Sequence, residues 1–373
     1  MTTQDQTQDQ TQDQTQDQTQ SGSRRSSFQA EFNNESLSNA EIINKRRVIN
    51  GYDDGLMQVS PLKHPWAREI FKNMQRNNWV AEEVPFQKDK EQWENGSLTD
   101  QEKETFLRAL AFASNLDGLL VHSLSEIIKP NITSPEVSLA IARQIYEECL
   151  HVDSYSVMIE AVGLNPEDVY GLYRRDKSLY YKNKRVWESM FKIKRPDFDT
   201  QKIEDAKLFL EACTTNLIFE GIFFFSAFLV FYNFGRHKKM PGSKEMIQFI
   251  NRDEDLHVQL FINIINEIKR EQPELWTQDV QEKMSKNVID AVQMEYEWGC
   301  SCIGDGILGI TPDTLKDYIQ FIGDLRLTAI GLPKVFNSKN PFPWIDEFTQ
   351  GNMIEVNFFE GTVREYQSGS LEW

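Results

Sequence analysis

The sequence predicts an all-α protein, a bundle of long helices around a buried cluster of carboxylates and histidines. From Pro65 onward, apolar residues recur three and four positions apart, and the alternation that marks a strand is scarce. The 373 residues are 40% hydrophobic and include 24 Phe, enough for one large core or two modest ones. A Glu-x-x-His pattern occurs once in each half of the chain. Together these observations predict a bundle in which the two halves repeat one plan.

Charge and cysteine usage narrow the class of protein. The chain carries 40 Lys+Arg against 57 Asp+Glu, a formal net charge of -17, so phosphate backbones should repel it and nucleic acid is not an expected partner. Its four cysteines form no C-x-x-C pair, and a chain of this size needs no disulfide framework. The N-terminus has no apolar stretch behind a basic start, so no secretory signal is expected. The simplest location is the cytoplasm.

The two ends of the chain differ in composition from its centre. Residues 3–20 repeat Thr-Gln-Asp-Gln almost perfectly and a Ser/Arg-rich stretch follows, so this region cannot bury apolar surface. After Trp344 the chain turns polar and loses helical periodicity. We therefore expect a disordered tail over residues 1–30, a helical domain over 31–348 and a flexible tail over 349–373. A specific binding role for the repeat is the alternative.

Seven segments have helical periodicity, and turn signals separate them. Lys129-Pro130-Asn131 and Ser134-Pro135 separate the second segment from the third, and Gly235 with Pro241-Gly242 separates the fourth from the fifth. Each of these two pairs is expected to form a long antiparallel hairpin, which is typical of a helical bundle. The seven segments lie near residues 66–78, 99–128, 135–162, 200–234, 244–270, 274–300 and 312–330.

The Phe-rich run at residues 217–234 is long enough to span a bilayer, and Arg236, Lys238 and Lys239 follow it like a cytoplasmic flank. Glu220 lies inside the run and would cost several kcal/mol in lipid. A helix that is apolar all round is also what the centre of a large soluble bundle requires. We therefore favour a core helix and expect no membrane association.

Two of the five histidines occur in the same local context. Glu148 precedes His151 by three residues, and Glu254 precedes His257 by three. Residues three apart share a helix face, so each pair can present one carboxylate and one imidazole to a single ion. An isolated Glu-x-x-His is more often a solvated helical pair, and its significance here depends on what lies opposite.

Each Glu-x-x-His pair has another carboxylate opposite it in the predicted hairpin. Asp117 stands among apolar residues 31 positions before Glu148, and Glu220 stands in the Phe-rich run 34 positions before Glu254. The turn lies midway in both cases, so the facing residues lie level, each about 15 residues or roughly 22 Å from the turn. Both hairpins therefore bring one buried carboxylate opposite one Glu-x-x-His pair.

The four carboxylates predict a metal site, because in a dry bundle they would repel each other unless cations compensate them. Two divalent ions carry the required charge, as in the ferritin-like bundles that hold two metals with one carboxylate from each of two helices and Glu-x-x-His from each of the others. Nitrogen and oxygen ligands suit iron or manganese. We expect two Fe ions in a di-iron-oxo centre, since iron is the usual choice for O2 activation, with Mn or mixed Mn/Fe as the alternative.

Further motifs accompany these ligands at matching spacing: Asn78-Trp79 with Glu82-Glu83, Ser114-Asn115-Leu116-Asp117-Gly118, Glu148-Cys149-Leu150-His151 with Ser154-Tyr155, Phe219-Glu220-Gly221, Arg252-Asp253-Glu254-Asp255-Leu256-His257, and Asn340-Pro341-Phe342-Pro343-Trp344. With these motifs the chain from about Pro65 to Asp346 resembles the small, radical-generating subunit of class I ribonucleotide reductase. The resemblance implies that one metal is bound by Asp117, Glu148 and His151, and the other by Glu220, Glu254 and His257.

The resemblance also implies that Tyr155 stores a radical. Tyr155 lies four residues after His151, hence on the same helical face and one turn away. A phenoxyl radical survives only away from water, and Phe224, Phe228 and Ile250 fit the apolar shield that the family places around it. A core tyrosine with plain packing around it is the alternative.

A relay to a large subunit is implied as well. In the family, oxidising equivalents pass through a hydrogen-bonded chain, which here would be His151, Asp253 and Trp79, and an Asp beside a ligand Glu fits the role of orienting a ligand histidine. In the C-terminal tail, Tyr366 would continue the relay, while Leu371 and Trp373 would anchor the tail on the large subunit. Family members form dimers, so a homodimer is expected.

The implied function is O2-dependent formation of a tyrosyl radical that supports reduction of ribonucleotides to deoxyribonucleotides on a partner chain. The nucleotide site is not expected here, since neither a Gly-x-x-x-x-Gly-Lys nor a Gly-x-Gly-x-x-Gly phosphate loop is expected in this chain. A dimetal oxygenase or desaturase, or an iron store of ferritin type, would use the same kind of bundle. The presence of Tyr155 with Trp79, Asp253 and Tyr366 favours the reductase subunit.

Overall fold

A computed structural model describes residues 37–53 and 55–345, and within these residues it contains thirteen α-helices and no β-strand. The all-α prediction is therefore confirmed. The Thr-Gln-Asp-Gln repeat, the tail over 349–373, Tyr366, Leu371 and Trp373 lie outside the described residues. The helices are α1 Asn39–Lys45, α2 Pro65–Arg76, α3 Gln87–Glu94, α4 Asp100–Ser123, α5 Pro135–Val162, α6 Pro166–Tyr170, α7 Leu172–Arg175, α8 Lys177–Phe191, α9 Ile203–Ile218, α10 Phe225–Arg236, α11 Pro241–Glu271, α12 Gln278–Ile303 and α13 Pro312–Ala329.

Local signals set the ends of the first long hairpin. Thr99 accepts a hydrogen bond from the backbone N–H of Glu102, whose side chain in turn accepts from the N–H of Thr99, so a reciprocal capping box starts α4. Ser134 caps α5 by accepting a hydrogen bond from the backbone N–H of Val137, and Pro135 occupies the first helical position, where its missing N–H is no loss. Gly163 ends α5 with φ of 81°, a left-handed conformation that glycine adopts without strain.

The bundle core consists of four layers of helix: α4, α5, the run from α9 to α10, and α11. α4 packs on α5 and α10, and α11 packs on α9, α10 and α5. α2 covers α5 and α11, while α12 covers α9, α4 and α13. The inward faces of these helices are almost wholly apolar and fully buried. The few polar residues among them are therefore candidates for a functional site.

The Phe-rich run departs from the predicted continuous helix. Between α9 and α10, residues Phe219–Phe223 form one turn of π-helix, which inserts an extra residue around Glu220. The carbonyl of Gly221 in this turn accepts a hydrogen bond from Arg326 Nε at 2.9 Å. A Cβ at position 221 would lie 2.7 Å from the same Nε, so only glycine admits the guanidinium so close. A second π turn, Leu124–Ile128, likewise ends the segment predicted over 99–128.

The short helix α3, which the periodicity did not predict, fixes the start of α11. The carboxylate of Asp89 is fully buried and accepts hydrogen bonds from the backbone N–H groups of Gly242 and Ser243, both at 2.7 Å. A carboxylate at a helix N-terminus satisfies otherwise unpaired donors and complements the helix dipole. The register of α11, and with it the height of Glu254 and His257, is therefore set from outside the bundle core.

The stretch Ile203–Arg236 is the part of the described chain that is long and apolar enough to cross a membrane, and nearly all of it is buried within the protein. This agrees with a core helix. The expectation that no Gly-x-Gly-x-x-Gly loop occurs was wrong as to spacing, because Gly304-Asp305-Gly306-Ile307-Leu308-Gly309 has it, but this stretch follows helix α12 and not a strand. That context is the wrong one for a phosphate loop.

Candidate metal centre

The six ligands expected from the sequence come together in the middle of the bundle. Asp117 is on α4, Glu148 and His151 are on α5, Glu220 is in the π turn, and Glu254 and His257 are on α11. The most exposed of the six side chains is only 1% accessible. Helical spacing thus places the four carboxylates and two imidazoles next to each other inside the bundle, as the hairpin argument predicted.

The first group of possible ligands surrounds His151. Its Nδ1 lies 3.8 Å from Asp117 Oδ2, 3.7 Å from Glu148 Oε2 and 3.1 Å from Glu254 Oε1. One ligand atom from each of these four residues lies within 4.8 Å of the others. The four side chains therefore enclose a volume of the size that one metal ion needs.

The second group surrounds His257. Its Nδ1 lies 3.2 Å from Glu148 Oε1, 2.9 Å from Glu254 Oε2 and 3.8 Å from Glu220 Oε2. Glu148 and Glu254 belong to both groups. The sequence assigned one of these carboxylates to each metal, and the structure places both of them between the two positions, where each can offer one oxygen to each ion.

Several polar atoms of the cluster have no hydrogen-bond partner among the described residues. A buried polar atom without a partner is costly, and native proteins rarely leave several together. The atoms are both carboxylate oxygens of Asp117, Glu148 Oε2, His151 Nδ1, Glu220 Oε2 and Glu254 Oε1. All belong to possible ligands, so the donor set fits two cations, which would satisfy these atoms and balance the four negative charges.

The protonation equilibria of the metal-free cluster reflect this crowding. Burial, together with the charge of Glu148, raises the pKa of both Asp117 and Glu220 well above the usual range. Burial alone would lower the pKa of His151 and His257, but the surrounding carboxylates outweigh it and raise both pKa values. Without cations, protons take over the role of charge compensation.

Gln144, which the sequence interpretation overlooked, lies one turn before Glu148 on α5. Its Nε2 donates hydrogen bonds to Glu220 Oε1 at 2.5 Å and Glu148 Oε1 at 3.3 Å. The amide therefore holds the carboxylate of the π turn against the one on α5. The sequence signal for this contact was the position of Gln144, four residues before a candidate ligand and therefore on the same helix face.

Tyr155 lies one turn beyond His151 and is completely buried. Its hydroxyl has no hydrogen-bond partner among the described residues. Burial and the negative charges of Asp117, Glu254 and Glu148 raise its pKa well above 10. Phe224 and Phe228 are stacked with ring centroids 5.6 Å apart, and Ile250 is also fully buried, so the three expected shielding residues all lie in the dry core.

Trp79, Asp253 and His151 form a connected chain. The indole Nε1 of Trp79 donates to Asp253 Oδ2 at 2.7 Å, and the same oxygen lies 3.4 Å from His151 Nε2. Trp79 stacks on Phe249 with centroids 5.2 Å apart, which fixes the ring. The structure thus brings together the three residues that the resemblance named.

Glu147 is a further buried carboxylate that the sequence interpretation did not single out. Its Oε2 lies 3.0 Å from His257 Nε2, and its Oε1 accepts from Arg143 Nε at 2.9 Å. A signal for it existed: Glu147 precedes Glu148 as Asp253 precedes Glu254. Both helices therefore carry an acidic residue directly before their Glu-x-x-His pair.

Comparison with protein families identifies a match over residues 56–341 to the family described as "Ribonucleotide reductase, small chain". The ribonucleoside-diphosphate reductase subunit beta of Chlamydia pneumoniae is 35% identical over 333 residues, covering 89% of this chain and 96% of that protein. The corresponding subunit of Treponema pallidum is 30% identical and covers 88% of this chain and 92% of its own length.

Solved structures give the same result. The ribonucleotide reductase R2 subunit from Clostridium botulinum has a TM-score of 0.75 and 33% identity, covering 82% of this chain and 94% of that one. Two more distant structures share the fold alone: dimanganese(II)-NrdF of Streptococcus sanguinis, with a TM-score of 0.67 and 15% identity over 78% and 98% of the two chains, and an R2-like ligand-binding oxidase with a Mn/Fe cofactor, with 0.59 and 22% over 74% and 99%.

Proposed function

This chain belongs to the ribonucleotide reductase small chain family and is a subunit of an oxidoreductase, a ribonucleoside-diphosphate reductase, and from that premise we propose that it generates and stores a tyrosyl radical in an O2-dependent reaction at two metals. The radical is passed to a large subunit, which reduces ribonucleotides to deoxyribonucleotides. The observation that carries the proposal is the buried cluster of six ligands with Tyr155 one helical turn away.

In this proposal Asp117 and His151 would hold one metal, Glu220 and His257 would hold the other, and Glu148 and Glu254, which belong to both groups, could contribute to each. Each metal then has one histidine Nδ1 and carboxylate oxygens as ligands, a set that suits iron or manganese. Two Fe ions are our first choice, with Mn or mixed Mn/Fe as the alternative. A bound pair supplies the oxidising equivalents that it takes from O2.

Tyr155 gives up one electron and its hydroxyl proton to form the radical. The hydroxyl of Tyr155 is shielded from water, so the neutral phenol is its resting form. The raised pKa of Tyr155 agrees with this. Asp117 is the neighbouring carboxylate on the metal side, and its charge is among those that keep the phenol of Tyr155 neutral. Complete burial keeps reductants in the solvent away from the ring.

The chain from His151 through Asp253 to Trp79 connects the centre with the surface. Trp79 itself is buried, yet Val80 beside it is 41% exposed, so the chain ends just beneath solvent. We propose that this chain carries oxidising equivalents outward and that Tyr366 in the C-terminal tail receives them. The tail docks on the large subunit through Leu371 and Trp373.

We further propose that the protein acts as a homodimer in the cytoplasm. A yeast relative of the same fold, 21% identical with a TM-score of 0.65, is described as a homodimer. All four cysteines are free, which suits a reducing compartment. Sedimentation of the full chain at micromolar concentration should give a dimer, and monomer alone would contradict this assembly.

Electron paramagnetic resonance on the aerated, metal-loaded protein, with metal analysis, tests the radical directly. Wild-type protein loaded with Fe or with Mn should contain two metals per chain and give a tyrosyl signal. Tyr155→Phe removes one hydroxyl and leaves the ring packing intact. It should bind two metals and consume O2, give no tyrosyl signal, and support little or no nucleotide reduction with the large subunit.

Two outcomes would contradict the proposal. A wild-type protein that holds two metals and consumes O2 without a tyrosyl signal would place this chain with the oxidases of the same fold. A Tyr155→Phe variant that reduced nucleotides as well as wild type would show that the oxidising equivalent is stored outside Tyr155.

A further inference from the structure

Each candidate ligand histidine has a carboxylate next to Nε2, the ring nitrogen that points away from the cluster. That carboxylate comes from the other helix that carries a Glu-x-x-His pair. His151 on α5 faces Asp253 on α11 through Nε2 at 3.4 Å, and His257 on α11 faces Glu147 on α5 through Nε2 at 3.0 Å. The two helices therefore exchange supporting carboxylates. In both cases Nδ1 points to the cluster and Nε2 points away from it.

This geometry decides the tautomer. A histidine that offers the Nδ1 lone pair to a metal must carry its proton on Nε2, and an oxygen acceptor opposite Nε2 holds that proton and the plane of the ring. Glu147 Oε2 is the acceptor for His257. Glu147 is only 1% exposed, so solvent cannot replace it.

Glu147 is itself held in place by Arg143, one turn earlier on α5. Arg143 Nε donates to Glu147 Oε1 at 2.9 Å, while its Nη2 donates to Met74 O at 3.3 Å and Asn78 Oδ1 at 3.2 Å. The guanidinium also lies over the ring of Tyr146 at 4.6 Å. The carboxylate therefore meets His257 in a fixed orientation.

The residues that support the two histidines, Asp253 for His151 and Glu147 for His257, are both connected to one short stretch of chain. Asp253 accepts from Trp79, and Arg252 beside it donates to the carbonyl of Asn77. On the other side, Arg143 reaches Asn78. Residues 77–79, directly after α2, thus contact the residues that support both histidines.

We propose that Glu147, oriented by Arg143, is a positioning residue for His257 and thereby for the second metal, the counterpart of Asp253 at the first. This inference rests on the proposed dimetal site. It assigns a role to two residues, neither of which touches a metal, and it predicts that their loss weakens one metal position and spares the other.

The test is an anaerobic titration of the full, metal-free chain with Mn(II), followed by calorimetry and by the electron paramagnetic resonance of free Mn(II). Wild type should bind two Mn(II). Glu147→Gln, which keeps an acceptor oxygen but loses the charge and the Arg143 pair, should weaken one of the two sites by about 10-fold, and Glu147→Leu by about 100-fold. Arg143→Gln should have a smaller effect on the same site. Glu160→Gln, an exposed glutamate on α5, is the matched control and should bind as wild type does.

A double-variant cycle identifies the affected site. In a His257→Ala background, which lacks the second position, Glu147→Gln should leave the remaining Mn(II) affinity unchanged. In a His151→Ala background it should still weaken binding. Thermal unfolding of each metal-free variant distinguishes positioning from a general loss of structure, since a positioning role predicts little change there.

The inference is overturned if wild type binds two Mn(II) and Glu147→Leu binds both with unchanged affinity, or if Glu147→Gln weakens binding equally in both histidine backgrounds. If wild type binds fewer than two Mn(II), the dimetal site itself fails and this inference fails with it.

Discussion

At the scale of single residues, Glu254 is the side chain on which most of the cluster converges. Its oxygens lie 3.1 Å from His151 Nδ1 and 2.9 Å from His257 Nδ1, whereas Glu220 adjoins only the second position. Burial opposes ionisation of Glu254, yet the two histidines lower its pKa below the usual range. A carboxylate that stays ionised between two cation positions should matter more for metal binding than one at the edge.

We expect Glu254→Ala to lose both metals or all but one weakly held ion, and Glu220→Ala to lose one. The helical content should persist in both, because carboxylates that compensate cations are not needed for packing once the cations are absent. Metal analysis after loading, with far-ultraviolet circular dichroism, measures the two effects. Glu160→Ala serves as control. Wild-type metal content in the Glu220 and Glu254 variants would refute the site.

At the scale of elements, a buried network ties the N-terminal segment to the ends of α5 and α11. His64 is fully buried, with Nδ1 2.8 Å from Ser134 Oγ and Nε2 3.0 Å from Glu271 Oε1. Glu136 accepts from the backbone N–H of His64 at 3.2 Å, and Glu271 accepts from that of Val48 at 2.8 Å. These contacts fasten the segment before α2 across the bundle end, away from the metal cluster.

The network should make stability depend on pH. Burial opposes the charged form of His64, but Glu136 and Glu271 outweigh it and raise its pKa, so its stabilising contribution is complete below about 6.5, the unfolded value, and is lost as pH rises through the folded pKa. Hydrogen bonds lower the pKa of Glu136 to about 2 against the effect of burial, so its contribution is lost only as pH falls from about 4.5 toward that value.

We expect His64→Gln to lower the free energy of unfolding of the metal-free protein by about 2 kcal/mol at pH 6, the order of a hydrogen bond to a charged group. The difference from wild type should shrink as pH rises above about 6.5. Urea unfolding between pH 5.5 and 8.5 measures it. His122→Gln, which alters an exposed histidine paired with Glu126, should change little at any pH. A His64→Gln difference that stays constant with pH would contradict a charged His64.

At the scale of the whole molecule, the metal cluster is sealed inside the bundle, while the proposed reaction ends on another chain. Trp79 is only 2% exposed, and the described residues place no other redox-active side chain in its hydrogen-bonded chain to His151. Transfer to a large subunit therefore needs a further residue that can approach Trp79 from outside. Tyr366, in the tail beyond the described residues, is our candidate.

If Tyr366 relays charge, Tyr366→Phe should leave the metal content, the Tyr155 radical and the affinity for the large subunit nearly unchanged while turnover collapses. Deleting residues 367–373 should instead weaken association, because burial of Leu371 and Trp373 is worth on the order of 2 kcal/mol each. Binding by surface capture and turnover with excess large subunit separate the relay from the anchor. Full activity of Tyr366→Phe would remove Tyr366 from the pathway.

Those features of this protein that depend on spacing along one helix could be predicted from its sequence. Asp117, Glu148, His151, Glu220, Glu254 and His257 were predicted to meet because three-residue spacing fixes a shared face and hairpin arithmetic fixes a shared height. The seven long helical segments were predicted for the same reason, since hydrophobic periodicity reports which face is buried. The eight-residue helix α3 has too few turns to give that signal, and the 15-residue α8 was missed as well.

Contacts that depend on how the helices rotate against each other became known only from the folded bundle. Three features join residues on different elements: the membership of Glu148 and Glu254 in both ligand groups, the contact of Gln144 with Glu220, and the contacts of Glu147 and Asp253 with the histidines of the opposite helices. The π turn at Glu220 is also set from outside, by Arg326 on α13. Periodicity specifies a face but not its partner, because rotation by a fraction of a turn changes the contacts and leaves the sequence pattern the same.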